Sequence, residues 1–229
     1  MKYIVILVIN LLFIQTSYSQ IHEFGVFIGG SNTIDDSNGQ SSILNPSRFA
    51  FGGLYKWNRS PRHSWRVSAT TNYKMPDLGS ENVKTIAEAS VGLEFNFFEF
   101  NLHQSGFKHT PYIYTGVSVF GFNIADPKLD ASETAILLPE DTKIEVGYGI
   151  PIILGYKIRI NYTFNLGFEV GARYTFTDNI DESNIIVKKA SGDVFEDRRY
   201  GNLNNNDWYV FTGFTLTYTF GRKPCYCIN

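Results

Sequence analysis

The sequence predicts an all-β protein, an eight-stranded antiparallel transmembrane β-barrel with short periplasmic turns and long outer loops. Aromatic residues make up 16% of the 229 residues, 20 residues are glycine, and only 18% are charged; this composition favours a single β architecture. After the N-terminal region, no stretch reaches the roughly 18 continuous apolar residues that a membrane helix needs. Several segments instead alternate apolar and polar side chains, which is typical of strands with two different faces.

The N-terminal region has the pattern of a secretory signal. Lys2 precedes a largely apolar run over residues 3–14, and a short polar segment follows over 15–19. Such a run is too short to span a bilayer and matches a cleaved signal peptide. We therefore expect a signal peptide over 1–19, a mature chain from Gln20, a barrel over 20–220 and a periplasmic tail over 221–229. Loss of Lys2 changes the net charge from −2 to −3, and nothing in that charge indicates nucleic acid.

Eight segments of the mature chain are each at least about as long as the roughly 9 to 11 residues that a tilted strand needs to cross a bilayer. An even number of crossings returns the chain to its starting side. The links between them tend to alternate between short and long, and short turns are periplasmic in outer-membrane barrels. We therefore expect both termini in the periplasm of a Gram-negative bacterium. The segments are 22–30, 48–57, 64–74, 85–98, 110–123, 144–158, 162–176 and 208–220.

The last of these segments, 208–220, places mostly apolar residues on one face and threonines and a glycine on the other. The alternation is clean only from Thr212 onward, because Tyr209 and Phe211 share the polar face near its start. We expect the apolar face to contact lipid, with Trp208 at the outer girdle and Phe220 at the periplasmic rim. The same alternation is strong in 162–176 and clear in 85–98, whereas both faces of 110–123 contain apolar residues. Pro151 removes a ladder hydrogen bond, so we expect a local bulge there. The predicted lipid-facing residues of the closing strand include Trp208, Phe214, Tyr218 and Phe220.

A soluble lipocalin-like barrel is the structural alternative, because it also has eight strands and a secretion signal. Its apolar face would surround a ligand, and its charged residues would face water. In this sequence the charged residues of several strands share a face with the glycines, which suits a narrow lumen better. The sequence therefore favours the membrane barrel.

The inward face of the predicted strands carries charges of both signs. An eight-stranded barrel is just wide enough to be filled by its side chains, so these charges should pair across the lumen. A packed polar core is favoured over a conducting pore. The predicted lumen network comprises Arg66, Lys74, Glu88, Glu94, Glu145, Glu169 and Arg173, and the same face also holds Glu23, Arg48, Lys56 and Lys157.

The sequence contains no pattern that predicts catalysis, a cofactor or a metal. The four histidines, His22, His63, His103 and His109, are spread over separate predicted periplasmic turns and strand ends, so an outer-leaflet active site would lack histidine. The acidic residues between 177 and 207 do not have the spacing of a calcium-binding EF-hand loop. A solvated outer loop is the more ordinary interpretation, and no phosphate loop or zinc motif is present.

The tail holds both cysteines of the chain, Cys225 and Cys227. A disulfide between residues two apart would close a small strained ring, so a partner thiol is the easier target. The periplasm is oxidising, and two exposed thiols are not expected to stay idle there. Two alternatives remain open: a tail disulfide formed by default, and a cysteine pair buried against the barrel mouth.

Two segments carry a resemblance to a known family. ARYTFTDNID at 172–181 and NDWYVFTGFTLTYTFGRKPCYC at 206–227, together with the signal peptide, resemble the PorG family of outer-membrane barrels. Members of that family belong to the type IX secretion system, which is coupled to gliding in some species. The resemblance implies a barrel that holds a periplasmic ring made by a PorK-like lipoprotein and a PorN-like protein, with other secretion components and membrane lipid as further contacts.

Carried onto this chain, the resemblance implies that the tail faces the ring. The expected partner-binding residues are Cys225, Cys227, Arg222, Lys223 and Tyr226, with one cysteine in a mixed disulfide to a ring subunit and the two basic side chains as a contact. The function predicted is a non-enzymatic structural component of the secretion machinery. The alternatives are a small adhesin or stability barrel that works through its outer loops, and a lipid-modifying barrel enzyme.

Overall fold

A computed structural model describes residues 21–34, 46, 48–73, 85–104, 106–124, 128–129, 136–137, 143–177, 184–188, 194–199 and 207–221. The predicted signal peptide, Gln20 and residues 222–229 of the tail lie outside the described residues. The described part of the chain is built of strands joined by turns and loops.

Eight long strands close into one barrel, in the spatial order β1, β12, β9, β8, β5, β4, β3, β2, with every neighbouring pair antiparallel. The predicted fold class is thereby confirmed. The strands of the described chain are β1 Ile21–Ile34, β2 Arg48–Asn58, β3 His63–Tyr73, β4 Ile86–Asn96, β5 His109–Ile124, β6 Lys128–Leu129, β7 Ile136–Leu137, β8 Lys143–Arg159, β9 Phe164–Thr175, β10 Asn184–Lys188, β11 Val194–Arg199 and β12 Trp208–Gly221.

The closing strand β12 pairs with β1 along its whole length, from Ile21 opposite Gly221 to Ile34 opposite Trp208. This pairing removes the two free edges that an open sheet would present to other chains. All eight predicted segments correspond to a barrel strand. The largest boundary difference is at β1, which continues to Ile34 rather than ending near residue 30.

The prediction of a bulge at Pro151 is wrong. The partners of β8 keep one register on both sides of the proline, with Thr115 opposite Ile152 and Ser118 opposite Gly149, and Pro151 itself opposite Arg173. Pairing with β5 is interrupted over the two intervening positions and then resumes unshifted. The barrel therefore tolerates the missing N–H by leaving a gap in one ladder.

The outer surface of the strands is apolar. Phe24 and Ile28 on β1 and Leu154 on β8 are each more than half exposed, whereas Glu23 on β1 and Lys157 on β8 are buried. This is the reverse of what a soluble lipocalin-like barrel requires, because that barrel keeps its apolar face around the ligand. A broad apolar outer band instead suits a hydrocarbon environment.

The two ends of the barrel differ. The turn end carries Ile21, Gly221 and the links 59–62, 97–108 and 160–163, and the loop end carries the links 35–47, 74–85, 125–142 and 176–207. Two of the loop-end links contain strands that the sequence did not predict. They form a separate four-stranded sheet in the order β11, β10, β6, β7, so the solvated outer loop expected over 177–207 contains a hairpin, β10–β11.

Glycines allow a close approach where β1 meets β12. Gly29 lies opposite Gly213, and a Cβ on Gly29 would collide with the Thr212 carbonyl oxygen and with the Cα of Gly213. A Cβ on Gly53 would meet nothing nearer than the Gly25 carbonyl oxygen at 4.0 Å. The spacing of the closing pair therefore depends on the absence of side chains.

Gly29→Ala is expected to destabilise the barrel by about 1–3 kcal/mol, because the two closing strands must separate to admit a methyl group. Urea unfolding of the refolded protein in detergent measures this change in the free energy of unfolding. Gly53→Ala is the matched control and should leave it nearly unchanged. Equal unfolding midpoints for the two variants would contradict the close-approach argument.

Candidate functional site

The lumen is a filled core of ionised side chains. Among the described residues, five acidic and five basic side chains are buried, so their formal charges balance: Glu23, Glu88, Glu94, Glu169, Asp207, Lys56, Arg66, Lys157, Arg159 and Arg173. Buried charges are tolerated when each has a partner and its remaining polar atoms are hydrogen-bonded. Adjacent strands deliver alternate residues to this interior, which is why residues distant in sequence meet there.

Glu94 lies at the centre of the network and is fully buried. One of its carboxylate oxygens lies 2.7 Å from Lys56 Nζ, and the other lies 2.6 Å from Lys157 Nζ. Arg66 Nη1 is 3.6 Å from the same carboxylate. One carboxylate therefore joins three strands, β2, β3 and β8, to its own strand β4.

Two further ion pairs cross the lumen, and each has a tyrosine attached. Arg66 donates two hydrogen bonds to Glu169, at 2.7 and 2.9 Å, and Tyr112 donates to the same carboxylate at 2.5 Å. Arg173 donates to Glu88 at 3.0 Å. Tyr209 donates to Glu88 at 2.5 Å. Bonds to ionised acceptors of this kind are among the strongest in proteins.

Glu23, nearest the turn end, is held by neutral donors. The side-chain amides of Asn58 and Asn165 donate to its two oxygens at 2.8 and 3.0 Å, and Thr217 donates at 2.7 Å. These contacts join β1 to β2, β9 and β12. Because the charge is met by side chains from three strands, Glu23 ties the closing seam of the barrel together.

Apolar side chains cover the charged layer at both ends. At the loop end a cluster combines residues of five strands: Phe27, Ala50, Ile86, Phe120, Phe122, Tyr209 and Phe211. At the turn end the link 97–108 brings Phe100 and Leu102 against Ile21. Arg159 fixes this link by donating to the carbonyl oxygens of Leu102 and Gln104, at 3.0 and 2.5 Å.

The space beside the ion pairs of the described lumen is small. A cavity between Arg66, Glu169 and Arg173 has a volume of about 10 Å³, which is at the lower limit for one water molecule. Side chains thus fill the described barrel interior, as an eight-stranded barrel permits. The geometry supports a rigid core, so the surfaces available for binding lie at the two ends and on the outer wall.

The four histidines all lie at the turn end. His22 and His109 pair through Nδ1 with the hydroxyls of Tyr55 and Tyr156, at 2.7 and 2.5 Å. His63 Nδ1 lies 3.1 Å from Ser60 Oγ, a distance compatible with a nucleophile–base pair. That hydroxyl also accepts bonds from two backbone N–H groups of its own turn, which is the geometry of a turn cap.

A pocket opens at the turn end. It has a volume of about 350 Å³ and lies between the link 59–62 and the link 97–108. Its apolar floor is formed by Ile21, Phe100 and Leu102, which are nearly fully buried. Asn58, Ser60, Asn101 and His103 supply polar groups around it. We call it the turn-end pocket.

Several of the predicted site residues are brought together and others fall elsewhere. Arg66, Glu88, Glu94, Glu169 and Arg173 form the ion pairs above, and Glu145 is half-buried on β8. Phe214 and Tyr218 are exposed on the outer wall, while Trp208 packs on Tyr174 and Phe220 stacks on Phe24. Outside the described residues lie Lys74, Arg222, Lys223, Cys225, Tyr226 and Cys227.

The sequence did not indicate the tyrosine donors, the clamp made by Arg159 or the cover made by the link 97–108. For the tyrosine donors, one signal was present in the sequence. The fifth predicted strand had apolar residues on both faces because its inward face carries Tyr112 and Tyr114 in the charged layer and Phe120 and Phe122 in the loop-end cluster. Nothing in the local pattern marked the link as part of the core.

In the part of the chain that the structure describes, no group of three or more His, Cys, Asp or Glu side chains is arranged to hold a metal ion. Over the same residues, no helix is long and apolar enough to cross a membrane.

These features define the class of protein: a small, closed, eight-stranded barrel of the outer-membrane type. The structure of Neisserial surface protein A is similar, with a TM-score of 0.52 and 8% identity over 90% of this chain and 100% of that chain. The N-terminal β-barrel domain of Pseudomonas aeruginosa OprF matches with a TM-score of 0.49, at 9% identity over 88% of this chain and 98% of that one. Ail of Yersinia pestis matches with a TM-score of 0.47, at 9% identity over 89% of this chain and 100% of that chain.

The chain belongs to the family described as Domain of unknown function (DUF6089), whose model matches residues 2–229. No curated protein matches the sequence.

Proposed function

We propose that this protein is a non-enzymatic structural component of a type IX secretion system, a PorG-like barrel that sits in the outer membrane and anchors a periplasmic ring. The observation that carries the proposal is the filled lumen, sealed by apolar clusters at both ends. A rigid plugged barrel is suited to bearing load rather than to transport. The resemblance of residues 172–181 and 206–227 to the PorG family indicates that the structure held by the barrel is the periplasmic ring.

The turn end is the proposed face toward the ring, with both termini in the periplasm. It carries the turn-end pocket and exposed apolar side chains beyond the strands, including Phe107 and Tyr162. The tail, with Arg222, Lys223 and Tyr226, continues from Gly221 at the same end. The ring would be made by a PorK-like lipoprotein and a PorN-like protein.

The tail cysteines supply a covalent link in this proposal. Cys225 or Cys227 and a thiol of a ring subunit each lose one proton, and the two electrons pass to a disulfide-bonded oxidase of the periplasm, which is reduced to a dithiol. A mixed disulfide forms between the barrel and the ring. The oxidising compartment keeps such a bond intact.

Affinity purification tests the anchor directly. The tagged protein is extracted from its own bacterium in mild detergent, and the two ring proteins are expected to co-purify, whereas an unrelated tagged eight-stranded barrel should recover neither. Failure to recover ring proteins would overturn the anchor role. It would leave an adhesin as the better candidate, for which the loop-end sheet β11, β10, β6, β7 offers a surface.

Non-reducing electrophoresis tests the covalent link separately. The wild-type protein is expected to run partly as a larger species that reductant converts to the monomer, and Cys225→Ala with Cys227→Ala should abolish that species. A monomer without reductant, together with normal secretion by the double variant, would exclude the disulfide. The affinity purification would then decide whether a non-covalent anchor remains.

A further inference from the structure

The turn-end pocket lies beside the point where the chain leaves the barrel. Ile21 forms part of its floor, and the Cα partner of Ile21 on the closing strand is Gly221. Paired Cα atoms in an antiparallel sheet are only about 4.5–5.5 Å apart. Gly221, the last described residue of β12, therefore lies next to the pocket wall.

Gly221 ends the described part of β12 in a backbone conformation that favours glycine. Its φ is 134°, in a region that side-chain-bearing residues rarely adopt. On its other side, β12 is held to the link 160–163, because the N–H of Thr219 donates to the Thr163 carbonyl oxygen at 2.6 Å. At the turn end β12 is therefore held on both sides, by Ile21 of β1 and by the link 160–163.

We propose that residues 222–229 fold back over the turn end and that Tyr226 occupies the turn-end pocket. Tyr226 is five residues beyond Gly221, which gives a reach of up to roughly 17 Å. The pocket, at about 350 Å³, is near the small end of the ~300–1,000 Å³ range of ligand pockets. It is therefore of a size for one large side chain with its flanking backbone.

The chemistry of the pocket matches a tyrosine. The apolar floor of Ile21, Phe100 and Leu102 receives the ring. The hydroxyl needs a hydrogen-bond partner when it is buried, and the side-chain carbonyl oxygen of Asn58, whose amide nitrogen donates to Glu23, is suited to accept from it. A tethered segment also has an effective concentration in the millimolar range for a short linker. The chain's own tail therefore competes well against a free peptide of any partner.

Docking of Tyr226 fixes the direction of the cysteines. In an extended segment neighbouring side chains point to opposite sides, so Cys225 and Cys227 both face away from the pocket. This consequence rests on the proposed function, since it displays both thiols to a ring subunit. The docking itself does not depend on any partner.

Photo-cross-linking of the purified protein, refolded in detergent without other proteins, tests the docking. The photoreactive aromatic residue p-benzoylphenylalanine is placed at position 226, and peptide mass spectrometry locates the adduct. We expect an intramolecular adduct to residues 58–61 or 100–103. The matched control adds His103→Trp, which fills the pocket, and should lower the yield of that adduct roughly tenfold because the tethered ring can no longer enter.

Adducts confined to 160–163 or the outer wall, adducts to a second copy, or no protein adduct would each overturn the docking. An adduct that persists unchanged with His103→Trp would do the same. Because no ring protein is present, these results are independent of the affinity purification described above. Recovery of ring proteins without an intramolecular adduct would keep the anchor and overturn the docking alone.

Discussion

Glu94→Gln is expected to lower the free energy of unfolding by about 3–5 kcal/mol, the usual cost of breaking a buried ion pair by removing one partner. The two ammonium groups of Lys56 and Lys157 lie 2.7 and 2.6 Å from this carboxylate, and all three side chains are almost completely buried. A neutral amide cannot compensate two buried positive charges. Urea unfolding of the refolded barrel, followed by the fluorescence of its three tryptophans, measures the loss.

Two further variants give this prediction its controls. Glu99→Gln removes a carboxylate that is mostly exposed and 3.8 Å from Arg62, so it should cost less than about 1 kcal/mol. Adding Lys157→Met to Glu94→Gln removes one of the uncompensated charges and should recover part of the loss. If Glu94→Gln unfolds at the same urea concentration as the wild type, the network is not what holds the lumen together.

Phe214→Arg is expected to destabilise the barrel in phospholipid vesicles by about 2–4 kcal/mol, because a charge near the bilayer midplane has to be desolvated. Phe214 lies near the middle of β12 and points outward with 57% of its surface exposed. Its ring also packs on Phe168, with the ring centroids 5.2 Å apart. Urea unfolding in vesicles measures the effect.

Phe214→Ala removes the aromatic contact without adding a charge, so the difference between the two variants isolates the effect of the bilayer. Phe107→Arg is the positional control. Phe107 is 72% exposed on the link 97–108, and a charge near the interface should cost only about 0–1 kcal/mol. A soluble barrel would respond differently, since Phe214→Arg would then be neutral or stabilising.

The strands and their facing could be predicted because the side chains of a strand alternate and the two sides of this wall meet opposite environments. The alternation in β9 and β4 is clear enough to assign each residue to a face from the sequence. Pro151 shows where local rules are insufficient. Proline lacks the N–H that a ladder hydrogen bond needs, but the ladders on both sides of β8 keep one register and no bulge results.

The partners within the lumen could not be predicted from spacing. Glu94 meets Lys157 and Arg66 meets Glu169 across 63 and 103 residues of sequence, and such pairings depend on the stagger of the strands around the closed barrel. The same applies to Tyr112 and Tyr209, whose hydroxyls reach carboxylates on other strands. The alternating pattern says that a residue points inward but not which residue it meets.

The sequence by itself determined the number of crossings, the apolar outer wall and the presence of charges of both signs inside, because each of these depends on local alternation and composition. The tertiary structure alone decided which charges pair, how the link 97–108 covers the turn end and where the turn-end pocket forms. Those features arise from contacts between distant segments, which only closure of the barrel brings within hydrogen-bonding distance. The position of Gly221 beside Ile21 is one of them, since it depends on the pairing of the first strand with the last.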